Sequence, residues 1–226
     1  MNGTFEPLAI DGRPSVRGQV IHALRAALIA GQMRPGEVYS APVLAARFGV
    51  SATPVREAML ELVKEGLVLT VPNKGFRVRE LSDRELDEIT EIRMLLEIPA
   101  AARAAGAAAP ADLARLRPVA EAVVGAAGRK DLIGYLDNDR RFHLGLLALA
   151  GNEQLVAMVG ELRARTRLFG LQRLADSGEL SASAREHVRM LELIAAGETA
   201  ELERLMRRHI GHVRGSWAGR DEPGPS

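Results

Sequence analysis

The chain has 226 residues, of which 47% are apolar, so it is long enough for two small domains that each bury a core. It contains no cysteine, which excludes a disulfide framework and a thiolate metal site. No apolar run reaches the roughly 18–20 residues that a transmembrane helix needs, and the first twenty residues lack the features of a signal peptide. We therefore expect a cytoplasmic protein with no membrane contact.

The charged residues are unevenly distributed along the chain. Residues 1–80 contain ten Lys and Arg against seven Asp and Glu, whereas residues 81–226 contain 20 against 22. The N-terminal part therefore leans slightly toward binding a polyanion. An aromatic content of 4% argues against a protein that binds single-stranded nucleic acid by base stacking.

The first eighty residues predict three helices. Apolar residues recur at helical spacing over Val16–Ala30, and two further helices would start at Pro42 and after an N-cap at Ser51, separated by a turn at Gly49. The predicted buried residues are Leu44, Ala45 and Phe48 in the second helix and Val55, Ala58, Met59 and Leu62 in the third. Two helices of this length around a glycine turn have the spacing of a helix-turn-helix.

A β-hairpin is predicted directly after the third helix. Residues 67–71 and 76–79 are β-prone runs joined by the turn Pro72-Asn73-Lys74-Gly75. A two-stranded ribbon in this position is a wing, and it would carry Lys74 at its tip, where the ammonium group can contact phosphate.

The third helix carries side chains suited to reading DNA. A helix N-terminus offers free N–H groups to phosphate, while its first side chains can reach base edges in the major groove. The alternatives are a motif used only for packing or protein contact and, for Arg56, an ion pair with Glu57 or Glu61. The candidate DNA-contacting residues are Arg47, Ser51, Thr53, Arg56, Lys74 and Arg77.

Residues 16–79 resemble the winged helix of the GntR family of transcriptional regulators. Residues 48–59 (FGVSATPVREAM) closely match its signature, and the segments EGLV at 65–68 and GFRV at 75–78 fit as well. The resemblance implies a regulator that binds a double-stranded DNA operator. The chain departs from the family at Ala52, where an arginine is usual, and at Pro42, where polar or basic residues are common. The operator sequence therefore cannot be transferred from the family.

A second domain is expected after a hinge at residues 79–82. Ser82 and Glu85 have the spacing of a capping box, which predicts a helix from there to about Ala105. The other predicted helices are Ala111–Ala127, Lys130–Ala150, Glu153–Ala175, Ser183–Ala196 and Thr199–Trp217. The predicted fold is mainly α, with a winged helix-turn-helix at residues 1–80, an all-helical effector-binding and dimerisation bundle at 81–218 and a disordered tail at 219–226.

Four residues on three of these helices form a candidate metal site: Asp139, His143, His187 and His209. Asp139 and His143 are four positions apart on one helix, and the other two histidines lie on apolar helix faces. One carboxylate and three imidazoles suit a divalent transition ion, with Zn²⁺ favoured and Mn²⁺, Ni²⁺ or Fe²⁺ as alternatives. The other interpretation is a surface hydrogen bond for the Asp139–His143 pair and ordinary core positions for the remaining histidines. His212 and His22 are interpreted as rim and surface residues.

Residues 82–217 resemble the FCD effector domain of the FadR-like GntR subfamily. The matching segments are EIRMLLE at 91–97, DRRFH at 139–143, EH at 186–187 and MRRHI at 206–210. Many members of that subfamily hold a metal with one Asp and three His, and all four match here. The branch that binds fatty acyl-CoA lacks this set, so an acyl-CoA effector is not expected. The resemblance suggests Arg93 as an effector contact; its alternative is an ion pair with Glu91 or Glu97.

The sequence thus predicts a regulator that binds two operator half-sites as a homodimer, because one winged helix offers too little contact for specific affinity. Its operator affinity would be controlled by a small carboxylate bound at the metal, since a divalent ion with one carboxylate keeps a positive charge and an arginine can clamp a carboxylate. One alternative is a regulator that responds to metal without an organic effector. A metal-dependent hydrolase is the other, but no separate general base is evident.

Overall fold

The computed structural model describes residues 15–166 and 171–212, which form a small N-terminal head and a helical bundle. The prediction of a mainly α chain with a winged helix-turn-helix and a helical effector domain is confirmed. In the head, the helices are α1 (Val16–Ile29), α2 (Ala41–Phe48) and α3 (Ala52–Lys64), and the strands are β1 (Val38–Tyr39), β2 (Val68–Val71) and β3 (Gly75–Val78). The described helices of the bundle are α4 (Asp83–Ala107), α5 (Pro110–Gly128), α6 (Leu132–Ala148), α7 (Glu153–Thr166), α8 (Leu171–Ser177), α9 (Glu179–Ala196) and α10 (Thr199–Gly211).

Capping residues mark the ends of the two helices of the helix-turn-helix. Ser40 caps α2 by accepting the Val43 N–H, and Pro42 stands in the first turn, where its missing N–H costs no hydrogen bond. Gly49 ends α2 with φ +66° in the left-handed region. Ser51 is the N-cap residue of α3, but its side chain makes no capping hydrogen bond. Its hydroxyl and the first amides of α3 are therefore available to a ligand.

The head differs from the prediction in two respects. The wing contains a third strand, because the two-residue strand β1 pairs antiparallel with β3 to give the order β1-β3-β2. A strand this short has no detectable alternation in the sequence. Phe48, predicted to be buried, is 36% exposed because α2 ends at this residue and its ring lies at the edge of the packed face.

The hinge is followed by the predicted capping box. Ser82 accepts the Glu85 N–H, and the Glu85 carboxylate accepts the Ser82 N–H at 3.0 Å, so α4 begins at Asp83. Leu81 and Ile29 belong to the same apolar cluster as Leu136 of α6. The head thus packs against the bundle through the end of α1 and the hinge.

Some predicted helix ends differ from the structure. The predicted helix Glu153–Ala175 corresponds to α7 and α8, and residues 167–170 between them lie outside the described residues. Helix α9 begins at Glu179 and not at Ser183, directly after Gly178 with φ +82°. The predicted continuation of the last helix to Trp217 and the tail 219–226 also lie outside the described residues. Within the described ranges, none of the helices is both long enough and apolar enough to span a bilayer.

The packing of the bundle brings α6, α9 and α10 together. Helix α5 packs against both α6 and α9, while α10 packs against both α4 and α9. Their shared apolar core contains residues of all five helices, among them Phe142, Met190 and Met206. The polar residues of these helices that point inward therefore meet within one dry interior.

Replacing Gly75 by alanine should destabilise the wing. Gly75 has φ +129°, and a Cβ there would stand 2.4 Å from the Tyr39 carbonyl oxygen, because β1 crosses closely at this point. We expect Gly75→Ala to lower the free energy of unfolding by about 1–3 kcal/mol in urea titrations. Gly106→Ala is the matched control, since its Cβ would meet nothing within 4 Å on a helical backbone. An unchanged midpoint for Gly75→Ala would contradict the close approach.

Candidate metal centre and DNA-reading helix

The four predicted metal ligands converge on one point. Asp139 and His143 come from α6, His187 from α9 and His209 from α10, and one potential ligand atom from each lies within 4.8 Å of all the others. Asp139 Oδ1 lies 3.0 Å from His187 Nε2 and 3.6 Å from His143 Nε2. His143 Nε2 lies 3.0 Å from His209 Nε2. We call these four residues the ligand set.

The outer hydrogen bonds of two imidazoles direct their lone pairs into the centre. His187 Nδ1 lies 3.0 Å from the Ala184 carbonyl oxygen, and His209 Nδ1 lies 2.7 Å from Glu186 Oε2. Because both partners only accept hydrogen bonds, each Nδ1 is assigned as the donor, which leaves Nε2 as the nitrogen of each ring that would bind an ion. This is how imidazoles are oriented when they bind metals in proteins.

The donor set fits a cation better than it fits a purely hydrogen-bonded core. Both ring nitrogens of His187 lie 3.0 Å from an oxygen that only accepts hydrogen bonds, the Ala184 carbonyl and Asp139 Oδ1. A neutral imidazole has one N–H, so one of the two contacts would then set lone pair against lone pair. His143 adds a buried Nδ1 that has no hydrogen-bond partner among the described residues. A divalent ion among the four ligand atoms would turn this repulsion into coordination, and three imidazoles with one carboxylate is a donor set that Zn²⁺ and related ions accept.

Burial and neighbouring charges shift the pKa values of Asp139, His143 and His209. Burial lowers the pKa of His143 well below its usual value and lowers that of His209 to about 4, which leaves both imidazoles neutral at pH 7. Burial alone would raise the pKa of Asp139. The rings of His143 and His187, where they donate to the carboxylate in the metal-free site, and the guanidinium of Arg163 nevertheless lower this pKa well below the usual value, so the carboxylate is ionised.

A buried ion network adjoins the ligand set. Glu97 accepts a hydrogen bond from Arg93 Nε at 2.7 Å and two from Arg163, at 2.6 Å from Nη2 and 3.0 Å from Nε. Arg163 Nη1 then donates to Asp139 Oδ2 at 3.2 Å. Burial alone would raise the pKa of Glu97, but the guanidiniums of Arg163 and Arg93 lower it to about 2. The network joins α4, α6 and α7 at the metal centre.

Arg93 forms an ion pair with Glu97, which was the alternative to its predicted role as an effector contact. Its side chain is buried, and its remaining guanidinium N–H groups are the donors it could offer to a ligand. Arg163 and Glu186 are two residues of this centre that the sequence does not predict. Nothing in their own helical spacing distinguishes them, because Arg163 contacts Glu97 across 66 positions of the sequence and Glu186 contacts His209 across 23. Glu186 could have been noticed only as the neighbour of the candidate ligand His187.

The six candidate DNA-contacting residues all lie exposed on the head. Ser51, Thr53 and Arg56 lie at the N-cap and in the first turns of α3, Arg47 lies in the last turn of α2, and Lys74 and Arg77 lie on the wing. Within the described ranges Arg56 forms no ion pair with Glu57 or Glu61, and Glu61 pairs instead with Arg17 at 3.0 Å and with Lys64 at 3.5 Å.

Helix α6 has a second face toward the head. A cleft of about 1170 Å³ separates α1 and α3 from α6 and α7, and its lining includes Arg25 and Lys64 of the head and Asp137 and Arg140 of α6. Arg25 forms an ion pair with Glu65 and also feels the charge of Asp137. The helix that carries Asp139 and His143 of the ligand set therefore also borders the head.

A winged helix-turn-helix joined to a helical domain is an architecture of DNA-binding transcriptional regulators. Residues 16–78 match the family described as "Bacterial regulatory proteins, gntR family", and residues 88–212 match the FCD domain family. The chain therefore belongs to the GntR family, in the group that carries an FCD domain. It is a DNA-binding transcriptional regulator and not an enzyme.

Individual relatives agree with this family assignment. The HTH-type transcriptional regulator McbR of Escherichia coli (strain K12) is 33% identical over 183 residues, which cover 81% of this chain and 82% of McbR. The HTH-type transcriptional repressor GlaR of the same strain is 30% identical over 191 residues, covering 81% and 87%. The solved structure of E. coli McbR/YncC has a TM-score of 0.65 at 29% identity and covers 88% of this chain and 94% of that one.

Removing the charge of Glu97 should strongly destabilise the bundle. Glu97→Gln leaves two buried guanidiniums without their carboxylate, and we expect the free energy of unfolding to fall by about 3–5 kcal/mol in urea. Glu88→Gln on the exposed face of the same helix is the control and should leave the midpoint unchanged.

The same variant tests the pH dependence. Because the folded pKa of about 2 lies below the ordinary 4.5, the ionised carboxylate stabilises the native state above pH 4.5, and this contribution is lost as the pH falls from 4.5 toward 2. The stability difference between wild type and Glu97→Gln should therefore shrink across that window. A difference that is constant from pH 7 to 3 would contradict the buried ion network.

Proposed function

We propose that this regulator binds its operator as a homodimer and that a small carboxylate, bound at a divalent metal in the helical domain, controls its operator affinity. The observation that carries the proposal is the convergence of three imidazoles and one carboxylate inside a domain whose α6 also borders the DNA-reading head. The metal would be held by Asp139, His143, His187 and His209. Zn²⁺ is the first candidate, followed by Mn²⁺, Ni²⁺ and Fe²⁺.

The operator would be read by α3 and positioned by the wing. Arg56 is the base-reading candidate, because it is exposed and makes no ion pair within the described residues. Ser51 and Thr53 would contact phosphate at the helix N-terminus, since the Ser51 hydroxyl makes no capping bond. Arg47, Lys74 and Arg77 would add phosphate contacts from either side.

The charges around the metal centre favour an anionic effector. The two carboxylates of Asp139 and Glu97 balance the two guanidiniums of Arg93 and Arg163, so the charge of a divalent ion remains as a net +2. The carboxylate of Glu186 reduces this to +1. A small organic acid could supply a carboxylate oxygen to the ion and accept hydrogen bonds from a guanidinium. Arg93 would contact this acid with the N–H groups that Glu97 does not use. Sugar acids, hydroxy acids and dicarboxylates all fit this chemistry.

A dimer would place two heads on two half-sites. On the bundle, the exposed apolar side chains Ile92 and Leu95 of α4 and Met158 of α7 are 43%, 68% and 54% exposed, and these two helices pack side by side. A second copy of this face would bury these side chains, so we propose the α4–α7 face as the dimer contact.

Helix α6 offers a direct route between the metal centre and the head. Asp139 and His143 face the centre, whereas Asp137, Arg140 and Arg141 line the cleft against the head. A small shift of α6 on effector binding would change the angle of the head, and hence the spacing of the two heads in the dimer.

Substitutions on α3 and the wing should affect DNA binding in different ways. Arg56→Ala should weaken binding to a selected genomic fragment by about 1–3 kcal/mol, roughly 5- to 150-fold, and relax sequence preference at one position. Lys74→Ala should weaken binding to every duplex and reduce the salt slope by about one. Fluorescence anisotropy at several salt concentrations measures both, with Arg204→Ala on α10 as the control. The interface is misassigned if Arg56→Ala binds like wild type.

Metal and acid should stabilise the protein together. Zn²⁺ should raise the melting temperature of wild type but not of Asp139→Ala, and a matching carboxylic acid should raise it further only in the metal-loaded protein. His22→Ala, on the exposed surface of α1, is the matched control and should behave like wild type.

Operator binding measured in parallel separates the candidate functions. Affinity that changes with metal alone, and with no acid, would favour a metal-responsive regulator. Affinity that needs both metal and acid would support the proposal. If no acid shifts the melting temperature of the metal-loaded protein, the carboxylate effector is wrong while the regulator stands.

A further inference from the structure

The outer partners of the three imidazoles in the ligand set differ in charge. His187 donates its Nδ1 proton to a neutral backbone carbonyl, that of Ala184, whereas His143 Nδ1 has no partner in residues 15–166 and 171–212. His209 alone donates to a carboxylate, that of Glu186, at 2.7 Å. A carboxylate behind an imidazole raises the basicity of the ring nitrogen that faces the metal and fixes the orientation of the ring. His209 is therefore the imidazole whose donor strength the protein controls most directly.

Glu186 is itself held firmly in place. It is adjacent in sequence to the ligand His187 on α9, and its side chain is only 15% exposed. Besides His209, its carboxylate accepts a hydrogen bond from Arg208 Nε at 3.2 Å and lies 3.2 Å from His212 Nε2. Arg208 and His209 belong to α10, and His212 is its C-cap residue. Glu186 thus fastens α10 to α9 at the level of the ligand set.

We propose that Glu186 is the positioning residue of the metal centre. It orients the Nε2 lone pair of His209 toward the ion, strengthens this ligand electrostatically, and keeps His212 outside the coordination sphere by occupying its Nε2. This inference rests on the proposed metal site, which it deepens by assigning the residue outside the ligand set that determines metal affinity.

The test measures Zn²⁺ and Co²⁺ affinity of the full-length protein by competition with a chromophoric chelator. Glu186→Ala should bind either ion about 10–100-fold more weakly than wild type. Glu186→Gln can still accept the Nδ1 proton but lacks the charge, so its affinity should lie between the two, with an altered visible absorption spectrum of bound Co²⁺. Glu192→Gln, an exposed glutamate on the same helix that pairs with Arg189, is the matched control and should bind like wild type.

The variants separate positioning from a purely structural role. A structural role predicts a lower melting temperature of the metal-free variants with unchanged metal affinity and Co²⁺ spectrum, and that result would overturn the proposal. His212→Ala should change the affinity no more than about threefold, whereas His209→Ala should abolish tight binding. If His212→Ala loses as much affinity as His209→Ala, His212 is a ligand and the assignment to Glu186 is wrong.

The failure of this inference can be distinguished from failure of the proposed function. If wild type binds metal tightly, Asp139→Ala does not, and Glu186→Ala equals wild type within twofold, only the role of Glu186 is wrong. If wild type binds neither Zn²⁺ nor Co²⁺, the proposed metal site and the proposed role of Glu186 are both wrong.

Discussion

The lone pairs that converge from α6, α9 and α10 are the constraint on which the rest of this molecule depends. Bringing a carboxylate and three neutral imidazoles into a dry interior is unfavourable unless a cation or hydrogen-bond donors compensate them. His187 and His209 donate their Nδ1 protons outward to Ala184 and Glu186. Their Nε2 atoms therefore face inward, toward Asp139 and His143 respectively. The surrounding helices are organised accordingly: α5 supports α6 and α9, while α4 supports α10.

The charge balance beside the ligand set extends this constraint to the rest of the bundle. Glu97 lies between Arg93 and Arg163, and Arg163 in turn holds the outer oxygen of Asp139. A change in charge at the centre therefore alters the electrostatic interactions of side chains on α4 and α7 as well as on α6. Helix α4 starts at the hinge and α6 borders the head, so both connections from the centre lead to the DNA-reading element. This is the physical basis on which an effector could act at a distance.

Local rules were enough to predict most of the fold and the ligand set. The capping box at Ser82, the left-handed Gly49 and the helical spacing of apolar residues are short-range signals, and the structure follows them. The ligand set was predictable because each member lies on an inward helix face and because the chain resembles a family with one Asp and three His. The resemblance also gave the family assignment that the comparisons confirm.

The features that were missed depend on contacts between distant residues. The pair of β1 with β3, the bond of Arg163 to Glu97 and the bond of Glu186 to His209 join positions that no local pattern relates. Arg93 shows the same limit, since its spacing allowed both a ligand contact and the pair with Glu97, and only the folded chain shows that the pair forms.

X-ray absorption spectroscopy of the zinc-loaded protein tests the central claim most directly. If the ligand set holds the ion, the spectrum should show nitrogen and oxygen neighbours at about 2.0–2.1 Å, with the outer-shell scattering of three imidazole rings. A spectrum with one imidazole or none, or one that is unchanged when His143, His187 and His209 are all replaced by alanine, would place the ion elsewhere and contradict the account.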